Sequence, residues 1–337
     1  MINLKKFLID DLAQPLFFRD NRKNKNFINK KNTKKKYYII TRSPGAGMFS
    51  NVNYVLNYVK YAKKKKLIPV VDMENYTTIY NEKSKIFGTF NAWEYFFEQI
   101  SKVDLKKIYK KNNYIFSKKE DIKNFVKRVD KDKKMIDLLR SLKFKKHILK
   151  DFESFKKNNF KKENDILGVH LRSTSYKKAK NHSFPPSPQI MCEEIDKLLK
   201  TRGYKKIFFV TEDEKYATYL KNKYPYNSFF FNSFRSKKNE AFKIYPRKFH
   251  RFKLGKEIII ETLLLSNCKG ILSTISNIST AASMLAKNKI IIHEINLGYN
   301  SSNKYVARWL WYIKNILPRY LGGLKVKSRI EKTIKFK

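Results

Sequence analysis

Beyond residue 165 the sequence alternates short β-branched and aromatic runs with longer segments whose apolar residues recur at helical spacing. Residues 165–171 (DILGVHL), 207–211 (IFFVT), 228–231, 270–273 and 289–294 read as strands. Between them, 188–200, 213–223, 256–267 and 279–286 read as helices. The first of these helices has clear limits: Ser187 as N-cap, Pro188 in the first turn and Gly203 beyond the end. Parallel strands need a crossover of about a dozen residues, and helices of this length supply it. The expected result is a doubly wound α/β sheet whose ligands sit beyond the carboxyl ends of the strands.

The first half begins in the same way. A run at 37–41 (YYIIT), a glycine-bearing loop SPGAG, a helical segment at 51–63 and a run at 67–72 (LIPVVD) form a β-α-β unit. From 76 to about 162 the pattern is irregular and then helical, with 120–129 (EDIKNFVKRV) and 135–144 (MIDLLRSLKF) as its clearest helices. These readings predict two Rossmann-like domains, 37–160 and 161–300, facing a cleft. A basic, partly disordered segment is expected at 1–36, polar and charged over 20–36, and an amphipathic helix with a basic tail at 301–337 follows.

Composition removes several alternatives. Of 337 residues 42% are hydrophobic, with 26 Phe and 21 Tyr, too many for a disordered chain. The two cysteines, Cys192 and Cys268, have no CxxC or Cys/His spacing, so neither a disulfide framework nor a zinc site is expected. A formal charge of +46 points first to nucleic acid or an anionic membrane. Only 13 of the 75 basic residues are arginine, however, and the lysines are scattered rather than clustered. That is how A/T-rich coding drift looks, and no nucleic-acid partner is expected. No apolar stretch reaches 18 residues, and Asp10 and Asp11 stand where a signal peptide has its apolar core, which favours a cytoplasmic protein.

Four segments carry chemistry. In GVHLRSTSY, His170 and Arg172 stand at the carboxyl end of a strand, where an arginine fork can hold two phosphate oxygens. The same spacing also describes a strand that ends in a solvated arginine over a core histidine. In IFFVTEDEKY, Glu212 and Asp213 follow the next strand and can accept from a nucleoside, although Asp at a helix start is also a common N-cap. In ILSTISNISTAASML, Ser276, Asn277, Ser279 and Thr280 open a helix, a place suited to a diphosphate and equally to plain capping. The loop SPGAGMFSN brings Gly45 and Gly47, which match neither GxGxxG nor the Walker pattern. Nearby, Asp72 and Glu74 are the carboxylates in reach of acid–base work.

Taken in this order, the segments resemble the fucosyltransferase superfamily of α-1,6-, α-1,2- and protein O-fucosyltransferases, in particular bacterial members from surface-polysaccharide clusters. The resemblance spans about 37–317 and implies a GT-B-like fold, a GDP-sugar donor bound without a metal or other cofactor, and a glycan or lipid-linked oligosaccharide acceptor. It implies that Arg172 and His170 act at the diphosphate, that Glu212 and Asp213 read the nucleoside, and that Gly45 and Gly47 lie near the donor. The family's acidic residue five positions after the histidine is Ser175 here.

The last motif is KYVARWLWYIKNILPRYLGG. Residues 305, 309, 312 and 316 join 306, 310, 313 and 317 in one apolar stripe, with Lys304, Arg308 and Lys314 off it. Such a helix either packs back on the protein or lies on an anionic membrane, here at the inner face of the cytoplasmic membrane.

Overall fold

The computed structural model describes residues 36–41, 47–111, 113–160, 165–238 and 240–335. In chain order its elements are β1 (Tyr37–Ile40), α1 (Met48–Lys64), β2 (Ile68–Val71), α2 (Ala92–Phe96), α3 (Leu105–Lys111), β3 (Tyr114–Phe116), α4 (Lys133–Arg140) and α5 (Lys146–Asn159). There follow β4 (Ile166–His170), α6 (Pro188–Arg202), β5 (Lys206–Val210), α7 (Glu214–Lys223), β6 (Ser228–Phe230) and α8 (His250–Leu265). The last are β7 (Gly270–Ser273), α9 (Asn277–Leu285), β8 (Ile290–Asn296), α10 (Lys304–Ile316) and β9 (Ser328–Ile334).

The chain packs as two compact units. The described residues up to Lys146 form one with Tyr245–Lys256, and His147–Ile244 with Glu257–Lys337 form the other. The change of pattern in the sequence puts the division near 160. By packing, α5 goes with the second unit because Phe155 and Phe160 sit on the rings of Phe208 and Phe229 in its sheet. Segment 245–256 goes with the first because Phe252 stacks on Phe96 at 5.8 Å and its amide donates to Glu82.

In the first unit three parallel strands lie in the order β2-β1-β3, with a small core of Ile39, Val70, Leu105 and Ile108. The helix expected over 120–129 does not form. Lys119–Ile122 and Val129–Lys131 are 3₁₀ turns instead. The reason lies on α1, where Asn57 accepts from the Val126 amide, and Asn53 and Asn57 donate to the Val126 carbonyl. These bonds use backbone groups that a helix would need for itself.

The second unit carries a six-stranded sheet in the order β6-β5-β4-β7-β8-β9, parallel except for the antiparallel edge strand β9. Its inner strands are continuously apolar (ILGVH, KIFFV, GILS), as sheets covered on both faces require. One face packs Leu167, Val169, Phe209 and Leu272 under α6 and α7. On the other, Gly168 lies so close to Leu265 and Cys268 that an added Cβ would meet them at 2.8 and 3.0 Å. Helix α6 is capped as its sequence indicates: Ser187 accepts from Ile190, and Gly203 ends it at φ +65°. The basic tail is partly regular, since 328–334 pair with β8 as β9.

Candidate functional site

The strand order determines which motifs meet. β4 lies between β5 and β7, and the chain turns from one side of β4 to the other between β6 and β7. This is a topological switch point, where the carboxyl ends of adjacent strands diverge and leave a crevice. His170 ends β4, Thr211–Asp213 follow β5, and Ser273–Ser276 follow β7. The three motifs of the second unit therefore converge.

His170 is buried, with Nδ1 3.2 Å from the Ser276 hydroxyl, a contact that spans the crevice. Burial, and next the charge of Arg172, hold its imidazole down to about 3, so it is neutral at physiological pH. Ser276 is the N-cap of α9: its hydroxyl accepts from the Ser279 amide at 3.0 Å and lies 3.0 Å from the Ser279 hydroxyl. Ser276, Asn277, Ser279 and Thr280 thus occupy the first turn of a helix whose amide dipoles point toward the crevice.

Arg172 lies at the start of the loop after β4. Its guanidinium rests 4.3 Å from the ring centroid of Tyr176, and its Nε is buried with no hydrogen-bond partner among the described residues. A buried unpaired donor on a cation is costly unless something else pairs with it, and a planar fork suits an oxyanion.

Two carboxylates hold this loop from below. Glu212 Oε1 accepts from the Ser173 amide (3.0 Å), the Thr174 amide (3.2 Å) and the Thr174 hydroxyl (3.0 Å). Asp213 accepts from the Ser173 hydroxyl at 2.7 Å and caps α7 through the Lys215 and Tyr216 amides. Asp213 is therefore fully engaged inside the protein. Glu212 spends one oxygen on the loop, and its Oε2 has no hydrogen-bond partner among the described residues. Glu212 and Asp213 thus place negative charge beside the loop that leads to Ser175.

Sequence reasoning missed Lys177. Its ammonium sits 3.7 Å from Asp213, 4.6 Å from the Tyr216 ring and 4.8 Å from the Trp311 ring. Burial lowers its pKa, against the pull of Asp213 and Glu212. Trp311 belongs to α10 and donates to the Pro185 carbonyl at 2.8 Å, so α10 is seated against the 175–178 turn. The only sequence signal was one tryptophan set off the apolar stripe.

The first-unit candidates stand apart from this cluster in sequence and unit. Gly45 lies outside the described residues. Gly47 precedes α1 at φ −59°, an ordinary conformation, and its carbonyl accepts from Ser50 and Asn51. Asp72 is buried and saturated, accepting from the Glu74 and Asn75 amides, the Asn75 side chain and the Tyr109 hydroxyl. Glu74 is half-buried, and burial followed by the neighbouring Asp72 pushes its carboxyl up. Among the described residues no three His, Cys, Asp or Glu side chains are grouped to hold a metal ion, and no helix is long and apolar enough to cross a membrane.

No family model and no curated protein matches the sequence. Among solved structures the chain is similar to fucosyltransferase NodZ from Bradyrhizobium, over 77% of this chain and 96% of that one, at 16% identity and a TM-score of 0.52. It is likewise similar to NodZ α-1,6-fucosyltransferase co-crystallised with GDP (16% identity, 77% and 95% covered, TM-score 0.50). The same enzyme soaked with GDP-fucose gives 13% identity, the same coverage and a TM-score of 0.50. The fold is that of the GT-B fucosyltransferases. The doubly wound α/β architecture expected from strand–helix alternation is therefore present.

Proposed function

We propose that the chain is a glycosyltransferase that moves fucose or a related sugar from a GDP-sugar to a bacterial surface glycan or its lipid-linked precursor. The observation that carries this reading is Arg172: a half-buried guanidinium with an unpaired Nε, laid on Tyr176, two residues past the His170 that contacts Ser276 at the start of α9. The similarity in fold to an enzyme crystallised with GDP and soaked with GDP-fucose supports the donor class.

In the proposed reaction the bond from the sugar's anomeric carbon to the diphosphate oxygen breaks as the acceptor hydroxyl approaches, and negative charge collects on the leaving diphosphate. Arg172 and the aligned peptide dipoles at the N-terminus of α9 stabilise that charge, and because their positions are fixed beforehand they need no reorganisation. Neutral His170 positions Ser276 rather than adding charge. Glu212 keeps one oxygen for the nucleoside and uses the other to fix the loop. Glu74, with its raised pKa, is the better candidate base, because every acceptor position on Asp72 is occupied. The proposed reaction is inverting and needs no metal, at the inner face of the cytoplasmic membrane.

The test is GDP release from GDP-fucose in the presence of glycan acceptors, with Arg172→Ala beside wild type. Acceptor-dependent release that the substitution abolishes supports the reading, whereas no release with any acceptor contradicts it as an enzyme. Ser175 favours a second reading, a homologue that binds the nucleotide sugar without turnover. GDP binding without release would establish that alternative.

A further inference from the structure

Helix α10 is oriented opposite to what its pattern implies for a soluble domain. An apolar stripe normally faces the core, yet the buried residues of α10 are Ala307 and Trp311, on the other side of the helix, and at the edge of the stripe Leu310 packs partly on the core. Along the stripe Tyr305, Trp309, Tyr312, Ile313 and Ile316 are exposed, as is Tyr320 in the turn that follows. Trp309 is 62% exposed and Ile316 82%. Contiguous apolar surface of this kind marks an interaction site.

The charge around it selects the partner. Residues 295–330 contain no Asp or Glu and seven basic residues: Lys304, Arg308, Lys314, Arg319, Lys325, Lys327 and Arg329. Arg319 and Arg329 are paired with Glu193 and Glu194. Lys304 and Lys325 are exposed at the two ends of this segment. Tyrosine and tryptophan prefer the headgroup level of a bilayer, and basic residues on the flanks are attracted to anionic lipid.

We propose that the exposed face of α10 and the turn through Tyr320 docks in plane on an anionic lipid bilayer, with Trp309 and Ile316 at the acyl boundary. The opposite side of α10 holds Lys177 through Trp311, so the docking face is backed directly onto the turn that follows the Arg172 loop. Docking does not depend on the transferase proposal. Its use to reach a lipid-linked acceptor does.

The molecule contains its own probe, because Trp93 and Trp311 are buried and Trp309 is the exposed tryptophan. The full-length protein is mixed with phosphatidylcholine vesicles with and without about a third phosphatidylglycerol, some carrying brominated acyl chains. The expected result is a blue-shifted emission, quenched by bromine on the anionic vesicles and absent in Trp309→Phe. Ile313→Glu/Ile316→Glu, at exposed positions, is expected to weaken vesicle binding about tenfold or more at 0.5 M salt. Three results would overturn the proposal: no bromine quenching, binding that salt removes entirely and the double variant leaves unchanged, or a lipid-free dimer in which Trp309 is already shielded.

Discussion

Replacing Glu212 with alanine removes the one oxygen that accepts three hydrogen bonds from the loop after β4. A hydrogen bond to a charged acceptor contributes about 1.5–3 kcal/mol net when buried. Glu212 is half-buried, so water reaches the freed amides and the three bonds do not add. About 2 kcal/mol is the reasoned loss of local order, equivalent to roughly thirtyfold in an equilibrium constant. Amide hydrogen exchange at Ser173 and Thr174 should quicken by about that factor, and GDP affinity should fall in parallel, since Arg172 is the preceding residue. Glu212→Gln keeps an acceptor and loses the charge, so about fivefold is expected. Unchanged exchange at both amides in Glu212→Ala would refute the claim that this carboxylate holds the loop, whatever the protein binds.

His170 and Glu261 predict opposite pH slopes. His170 stays neutral in the folded chain down to about 3, whereas an unfolded histidine takes a proton below 6.5. The unfolded state therefore binds more protons in that window, and stability falls as pH drops from about 6.5 toward 3, by up to about 1.4 kcal/mol per pH unit. His170→Asn should flatten the difference in urea unfolding measured across that range. Glu261, buried on α8, is raised by burial to about 7, against the pull of Ser233 and Arg235. Here the folded state binds the extra proton, so its contribution is full below 4.5 and lost as pH rises to 7, and Glu261→Gln should gain on wild type as pH rises from about 4.5 to 7 and level off above that. At Gly203, φ is +65° and an added Cβ meets nothing within 4 Å. Gly203→Ala should therefore cost about 1 kcal/mol through the backbone alone, and Gly203→Asn less, by denaturant unfolding.

The sequence revealed the site's parts better than their joins. Parallel strands put their carboxyl ends in one row, so His170, Glu212 and Ser276 were readable as candidates from three separate strand ends. That β4 lies between β5 and β7, which brings His170 to Ser276, depends on strand order, and periodicity carries none. The bracing of Ser173 and Thr174 by Glu212 depends on a loop path that no spacing encodes. Segment 120–129 has helical apolar spacing, but Asn53 and Asn57 compete for its backbone from about 70 residues away. In α10 the stripe was legible and its direction was not, because periodicity says that one face is apolar without saying what medium covers it. The placement of 245–256 beside Phe96 is a long-range aromatic contact, invisible in a local pattern.

In the proposed function Arg172 completes its hydrogen bonding on a nucleoside diphosphate. Calorimetric titration of wild type, Arg172→Lys and Arg172→Ala with GDP, and of wild type with UDP, CMP and ADP, tests it most directly. GDP is expected to bind wild type in preference to the others, and Arg172→Ala to weaken it by about 10- to 150-fold, as loss of a charge-assisted bond requires. Arg172→Lys should recover only part, since an ammonium cannot present the planar fork. Equal GDP affinity in wild type and Arg172→Ala, or no nucleotide binding by wild type at all, would contradict it.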